Sequence, residues 1–413
     1  MLNDQQRATV KATVPALRAH GEEITRRFYG DMLKAHPGLF NYFNPANQLG
    51  AGGQARSLAA SVLAYAENID RLGALGGMVE RITTKHVSLE ILPEQYPVVG
   101  QYLLGAIADV LGDAATPEIL SAWGVAYGQL ADIMIARERV LKNEAAEQPG
   151  GWAAFKPFRV AGKTVESTVI TSFLLEPEDG TPVPDFRPGQ YVSVKVHPPG
   201  VAFNQVRQYS LSAAPNGRQL RISVKREDAP GSSGLPPGLV STFLHRAVGE
   251  GDSLPLHVPE GVFVLDDSSD APVVLLSGGS GVTAVLCMLQ HLASRTTRDI
   301  LWVHAARSGD EHAFGPEVRK LAASRSGIRS LTFFEQVGPQ DVRGADFDAV
   351  GRISAELIRA HLPSGDAEFY YSGPPGFMAA TGHILDEFAV AEQRRHTETF
   401  APTETFTVAP ADA

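Results

Sequence analysis

PVVLLSGGSGVTA (272–284) is the stretch on which the architecture turns. Its opening residues are almost wholly apolar, bounded by Pro272 and by glycine, so they read as a short strand buried on both faces. Gly278-Gly279-Ser280-Gly281 ends the strand and Val282-Thr283-Ala284 enters a helix, so that residues 279–284 fit G-x-G-x-x-A. Glycines there let the backbone approach a pyrophosphate, and the free amides of a helix N-terminus favour the anion. An ordinary tight strand-to-helix turn fits the same residues. Downstream, ILWVHAA (300–306), SLTFF (330–334) and EFYYS (368–372) repeat the buried-strand pattern between helical stretches. Residues 266–413 are therefore expected to form an α/β domain on a parallel sheet. The second strand ends at Arg307. An acidic residue there would hold a ribose hydroxyl, whereas an arginine can face a 2′-phosphate. A solvated surface arginine fits equally, so NADH and NADPH stay open.

Upstream the grammar changes. Val192, Val194 and Val196 alternate with Ser193, Lys195 and His197, and Leu220, Ile222 and Val224 repeat that period, the mark of half-buried strands. Arg187-Pro188-Gly189, Pro215-Asn216-Gly217 and the Gly/Pro-rich loop 229–238 supply turns. Residues 148–265 are expected to form a small antiparallel β-barrel, with one short helix starting after Ser241 as its N-cap. Gln190-Tyr191 and Arg207-Gln208-Tyr209-Ser210 lie near strand ends. An aromatic ring can stack on a flavin, an arginine can pair with phosphate and a serine can bond a flavin edge. Taken singly, the two tyrosines fit barrel packing as well.

From residue 1 to 147 apolar residues recur at helical spacing, as in Leu75, Val79, Ile82 and then His86, and in Leu103, Leu104, Ile107 and Leu111. Pro37, Pro45, Gly52-Gly53, Pro93 and Pro117 punctuate the helices. This part reads as all-α, and NEAAEQPGGW (143–152) reads as a linker. His86 on an apolar stripe fits a core histidine as readily as a metal ligand. Tyr96 and Glu138 are candidates to orient its imidazole and raise its basicity. Gln54 and Leu58, four apart, share one helix face, and Gln54 and Tyr29 can donate hydrogen bonds to iron-bound dioxygen.

Composition narrows the classes further. The 413 residues are 44% hydrophobic and 20% charged, as in globular proteins, and too many for one ordinary domain. A formal net charge of −10 argues against nucleic acid or anionic membrane as the main partner. No unbroken apolar run approaches the roughly 20 residues of a membrane helix. The N-terminal MLNDQQRATV lacks the form of a secretory signal. Cys287 is the only cysteine, which excludes an intrachain disulfide and any cysteine-held cluster. A reducing cytoplasm is expected.

Read together, these residues resemble the flavohaemoglobins, in which a haem globin is fused to a ferredoxin-reductase-like FAD/NAD(P)H module. The likeness runs through VKATVP, the FY pair at 28–29, NYFNPANQ (41–48), KHVSLEILPEQY (85–96), AWGVAYGQLADIMIARER (122–139) and GGW (150–152). It continues in RPGQYVSV, RQYSLS, VKRE, SGGSGVT, WVHAAR and SGPPGFM, in the family's order and over nearly the whole chain. The resemblance implies an all-α globin, an antiparallel β-barrel FAD domain and an α/β parallel-sheet NAD(P)-binding domain. It implies haem b, FAD and NADH or NADPH as cofactors, and nitric oxide dioxygenase activity, which converts nitric oxide and O₂ to nitrate.

Carried over by residue, His86 is the proximal iron ligand, preceded by Lys85, with Tyr96 and Glu138 as its polar relay. Tyr29, Gln54 and Leu58 line the distal oxygen site, and Phe43 packs on the haem. Tyr191, Arg207, Gln208, Tyr209, Ser210, Val240 and Ser241 bind FAD, while Gly279, Ser280, Gly281, Val282, Thr283 and Ala284 bind the dinucleotide. Glu398, Thr399, Phe400, Ala401 and Pro402 form the terminal flavin-side segment. Further hydrophobic ligands in the distal pocket, a monomeric state, no nucleic-acid partner and no transmembrane segment complete the expectation.

The rivals are a general NAD(P)H-dependent flavohaem reductase and an oxygen-sensing or storage globin. A fused reductase argues against storage, and no kinase, cyclase or DNA-binding segment follows to suit a sensor. The chain departs from the family at Ser372, where cysteine is usual, at Ala284, where proline stands, and at Thr399 and Ala401, where cysteine and glycine stand. Loop 229–238 is also long for the family. These departures bear on reductase kinetics.

Overall fold

The structure, a computed structural model, describes residues 2–43, 53–228 and 236–400. They fall into two compact units, one reaching Glu147 and including Lys195–Val206, the other formed by the remaining residues from Gln148 to Phe400.

The first unit is helical. Its helices are α1 (Asp4–Ala12), α2 (Val14–Ala35), α3 (Gly53–Glu67), α4 (Gly76–Ser88), α5 (Gln95–Leu111) and α6 (Pro117–Glu147). A reciprocal cap opens α1: Gln6 donates its amide to Asn3 Oδ1 at 2.8 Å, and Asn3 donates its own to Gln6 Oε1 at 3.0 Å. Ile24, Phe28 and Met32 of α2 pack with Tyr65, Met78, Ile107 and Trp123 in one core. The linker expected at 143–152 is shorter than the sequence suggests. α6 runs through Glu147, and Trp152 is anchored in the second unit, its indole donating to the Leu256 carbonyl at 3.1 Å. α6 is also long and apolar enough, by length and composition, to cross a membrane. Isolated polar residues such as Gln129 and Asp132 break its apolar runs while its average stays apolar. Its Trp123, Ala126, Ala131 and Met134 are buried within the helical unit.

The second unit begins with strands β1 (Lys156–Val165), β2 (Ile170–Pro177), β3 (Tyr191–Val196), β4 (Gln205–Ser210), β5 (Leu220–Lys225) and β6 (Ser253–Leu256). They pair in the order β4-β3-β6-β1-β2-β5. An antiparallel bridge from Leu211 to Ile222 joins the two edges, so the sheet closes into the expected barrel. Phe158, Val160, Phe173, Val192, Val194, Ile222 and Val224 fill it. The helix α7 (Leu239–Ala247) starts three residues before the expected point. Gly238 is its N-cap, and Ser241 lies inside the first turn, donating to the Gly238 carbonyl at 3.2 Å and accepting from the Glu227 amide at 3.1 Å. At its other end Lys163 donates to the carbonyls of His245 and Val248, where a cation suits the helix terminus.

Parallel strands β7 (Val273–Gly278), β8 (Ile300–Ala306), β9 (Ile328–Phe334), β10 (Ala349–Val350), β11 (Glu368–Ser372) and β12 (Arg395–Glu398) complete the unit. Their order is β10-β9-β8-β7-β11-β12. Val273, Leu275, Trp302 and Tyr370 face one core with α8 (Val282–Arg295) and α9 (Gly315–Ser324). Val274, Leu276, Leu301, Val303 and Phe369 face another with α10 (Ala355–His361) and α11 (Pro375–Glu387). Burial on both faces explains the unbroken apolar strands. The chain order reverses between β7 and β11, which makes their carboxyl ends the switch point where such sheets bind ligands.

Candidate functional site

In the helical unit the decisive residue sits on α4. Of the sequence stripe, Leu75 is buried in the turn before α4, whereas Val79, Ile82 and His86 on the helix are half-buried, and Met78, Thr83, Thr84, Val87 and Ser88 make its buried face. His86 is therefore not a core-facing histidine. Its Nδ1 lies 2.8 Å from Glu138 Oε1 and 3.0 Å from the Tyr96 hydroxyl, and that hydroxyl also donates to Glu138 Oε1. Glu138, on α6, is only 2% exposed. A carboxylate there accepts, so Nδ1 is the donor, which leaves Nε2 as the ring nitrogen available to a metal. No hydrogen-bond partner meets Nε2 among the described residues, and the side chain is 30% exposed. Burial and the Glu138 carboxylate push the Tyr96 hydroxyl well above its ordinary value, so it remains a donor.

Across the same unit α2 presents Tyr29 to the side chain of Gln54 at the start of α3, and a hydrogen bond joins them. Burial raises the Tyr29 hydroxyl well above its usual range. The Phe43 ring meets Tyr29 edge-on at 5.6 Å between centroids. Leu58 lies one turn beyond Gln54 and is half-buried, and Lys85, beside His86, is exposed. The structure thus joins His86 with Tyr96 and Glu138, and Tyr29 with Gln54 and Phe43.

In the barrel, Tyr191 opens β3 and exchanges two 2.8 Å backbone hydrogen bonds with Glu260. Arg207 and Tyr209, two apart on β4, share one face of the strand. Burial raises the Tyr209 hydroxyl and lowers Arg207 from its ordinary value. A desolvated guanidinium of this kind suits a phosphate. Gln208 donates to Ser193 Oγ at 3.4 Å, and Ser210 ends the strand in a buried position. Val240 and Ser241 occupy the buried first turn of α7.

The glycine loop serves two purposes. Gly279 has φ +51° with open space where a side chain would stand, whereas a Cβ on Gly281 would lie 2.0 Å from the Ser372 carbonyl oxygen. Close crossing of β11 therefore dictates the second glycine. Val282, Thr283 and Ala284 are buried in the first turn of α8, and Ser280 accepts from Thr283 Oγ1 at 3.0 Å. Across the sheet Glu398, Ser372, Ser277 and His304 fall in one register row. Ser277 and His304 also share a 2.8 Å hydrogen bond. Sequence reasoning passed over this pair, though a polar residue near the end of each apolar strand was the available signal. Thr399 follows β12 and Phe400 is exposed, while Ala401, Pro402 and most of loop 229–238 lie outside the described residues.

These arrangements fit the implied groups. Among the described residues no three His, Cys, Asp or Glu side chains gather to hold a metal. A metal on the single Nε2 of His86 must bring its own equatorial donors, as a porphyrin does. The aromatic and cationic residues of β3 and β4 fit a flavin with its phosphates, and the loop before α8 fits a pyrophosphate.

Known proteins agree. A globin family model matches residues 26–134 and an oxidoreductase NAD-binding domain model matches residues 275–383. A flavohemoprotein of Deinococcus radiodurans is 56% identical over 407 residues, covering 98% of both chains. One from Bordetella pertussis is 48% identical over 402 residues, covering 97% of this chain and 98% of that one. The crystal structure of a Malassezia yamatoensis flavohemoglobin with bound FAD and heme superposes with a TM-score of 0.83 at 28% identity, covering 97% of this chain and 100% of the other. The FAD/NAD-binding domain of a Vibrio cholerae nitric oxide dioxygenase matches at TM-score 0.54 and 39% identity, covering 60% of this chain and 98% of that domain. With relatives this similar from end to end, and with a tethered histidine in the helical unit and a nucleotide-type sheet in the other, the chain belongs to the flavohemoprotein family.

Proposed function

We propose that this protein is an NAD(P)H-dependent nitric oxide dioxygenase that detoxifies nitric oxide by joining it to O₂ as nitrate. The observation that carries the reading is His86, fixed at Nδ1 by Glu138 and Tyr96 with Nε2 left for a metal. The Vibrio cholerae relative, named a nitric oxide dioxygenase, supports the choice of reaction. When bound, haem b supplies the oxygen-binding iron, FAD splits a hydride into single electrons and NADH or NADPH supplies that hydride.

The chain's residues do the positioning. Glu138 accepts the Nδ1 proton of His86, which raises the basicity of Nε2 and fixes the ring orientation. Tyr29, kept protonated by burial and held by Gln54, donates a hydrogen bond to the distal ligand. Leu58 and Phe43 keep water out of that space and admit further hydrophobic ligands. Lys85 flanks the proximal ligand. Arg207 pairs with flavin phosphate, Tyr191 and Tyr209 pack on the flavin, and Gln208, Ser210, Val240 and Ser241 shape its site. Gly279, Ser280, Gly281, Val282, Thr283 and Ala284 hold the dinucleotide pyrophosphate at the start of α8, and Glu398, Thr399 and Phe400 complete the flavin side.

The proposed division of labour is haem in residues 1–147, FAD in 148–265 and NAD(P)H in 266–413. We further propose a cytoplasmic monomer without a nucleic-acid partner. The net charge of −10 and a single cysteine, buried with its thiol pushed up to about 12, support that setting.

Rapid mixing of the oxygenated, reduced protein with nitric oxide tests the reaction. Nitrate formed in step with NAD(P)H consumption is the expected result. Flavin-dependent dye reduction without nitrate would overturn it in favour of a general reductase.

A further inference from the structure

Within the second unit the candidate flavin and dinucleotide residues stand on different elements, Arg207–Ser210 on β4 and the glycine turn at the start of α8. Side chains of α8 link the two. β4 runs on into residues 211–214, and α8 grips that segment. Gln290 Oε1 accepts from the Ala214 amide at 2.7 Å, and the Cys287 thiol donates to the Ala213 carbonyl at 3.2 Å. Gln290 in turn donates to Glu317 Oε1 on α9.

Arg221 of β5 completes the cluster. Its Nη1 and Nη2 donate to the Glu317 carboxylate at 3.2 and 3.4 Å, and its Nε donates to Ser212 Oγ at 3.2 Å. Nη2 also donates to the Ser212 carbonyl. The guanidinium stands 5.4 Å from the centre of the Phe314 ring, and Phe314 is the left-handed N-cap of α9. Only 17% of the Arg221 side chain is exposed, against 31% for Glu317. One arginine therefore holds both the segment that follows β4 and the carboxylate that fixes Gln290.

Adhesion alone does not require this cluster. Ile170 of the barrel already sits in the apolar core of α8 and α9, and a paired charge taken out of water adds little net stability. The planar fork of a guanidinium adds direction instead. Hydride transfer is the step in which direction counts. A hydride, one proton with two electrons, leaves the dinucleotide, which becomes NAD(P)⁺, and joins the flavin, which gains both electrons. A misplacement of about 1 Å can slow such a step about a hundredfold.

We infer that Arg221 is a positioning residue for hydride transfer, acting through Glu317 and Gln290 to hold residues 211–214 against α8. The inference rests on the NAD(P)H reading of the α8 loop and adds the device that aligns donor with acceptor.

Glu317→Ala in the full-length, FAD- and haem-loaded protein removes the shared acceptor, whereas Glu317→Gln keeps an acceptor oxygen. Anaerobic rapid mixing with NADH and with NADPH gives the limiting rate of flavin reduction and the half-saturating concentration. Calorimetry gives the affinity for ADP, and hydrogen exchange follows the peptide containing Ala214. For Glu317→Ala the limiting rate should fall by about tenfold or more, with faster exchange at Ala214 and unchanged half-saturation and ADP affinity. Glu317→Gln should recover much of the rate. Gln290→Leu breaks the same link from the α8 side and should reproduce the alanine pattern, so a folding defect in one variant leaves the other to decide. An unchanged limiting rate, unchanged exchange at Ala214, or a loss seen only as weaker binding would overturn the inference. A parent whose flavin neither dinucleotide reduces would bring down the NAD(P)H reading and this inference with it.

Discussion

A carboxylate buried as deeply as Glu138 costs several kcal/mol unless donors meet it. Here the Tyr96 hydroxyl and His86 Nδ1 both meet Oε1, so a buried charge is held in place by the imidazole it orients. On the opposite side Tyr29 is a donor whose burial keeps its proton. With Tyr29 at the oxygen site, as proposed, phenylalanine there would remove one hydrogen bond to a partly charged ligand, worth about 1.5–3 kcal/mol. Tyr29→Phe should therefore speed O₂ dissociation by about tenfold or more, measured by rapid mixing of the oxygenated protein with carbon monoxide. An unchanged off-rate would remove Tyr29 from the oxygen site. The residue types of this site were legible in the sequence, but their grouping was not. His86 and Glu138 stand 52 positions apart, and no local periodicity reports that α6 crosses behind α4. The residues could be named only as candidates to orient the imidazole, and the family resemblance turned those candidates into a relay.

At the scale of elements, patterns with strong physical causes were the readable ones. Wholly apolar strands announced a sheet covered on both faces, and alternating valines announced the barrel. Boundaries that depend on backbone packing were less legible. α7 begins at Leu239 with Gly238 as its cap, since Ser241 finds partners inside the turn. α6 absorbs residues that read as linker. The glycine loop shows the same limit, because its two glycines look alike in sequence and answer different demands. Gly279→Ala meets open space and should cost only the left-handed backbone penalty, about 1 kcal/mol. Gly281→Ala drives a methyl group into the Ser372 carbonyl and should cost about 1–3 kcal/mol beyond that, as overpacking does. Urea unfolding followed by flavin fluorescence compares the two. Equal losses would show that the β11 crossing yields to accommodate the methyl group.

Over the whole molecule, composition and the order of patterns carried the class, and the end-to-end likeness to flavohemoproteins bears it out. The sequence could not choose between dinucleotides, because Arg307 after the second strand fits a 2′-phosphate and a solvated surface position equally. The two-unit organisation carries a plain consequence: haem should depend on the first unit and flavin on the second, so that one pigment can be lost without the other. The visible absorption spectrum of the full-length protein beside that of His86→Ala measures this. Ligation by His86 predicts haem and flavin in equal amounts in the parent, and in the variant a lost haem band with the flavin band intact. A variant that keeps its normal haem band, or a folded parent that takes up flavin but never haem, would contradict it.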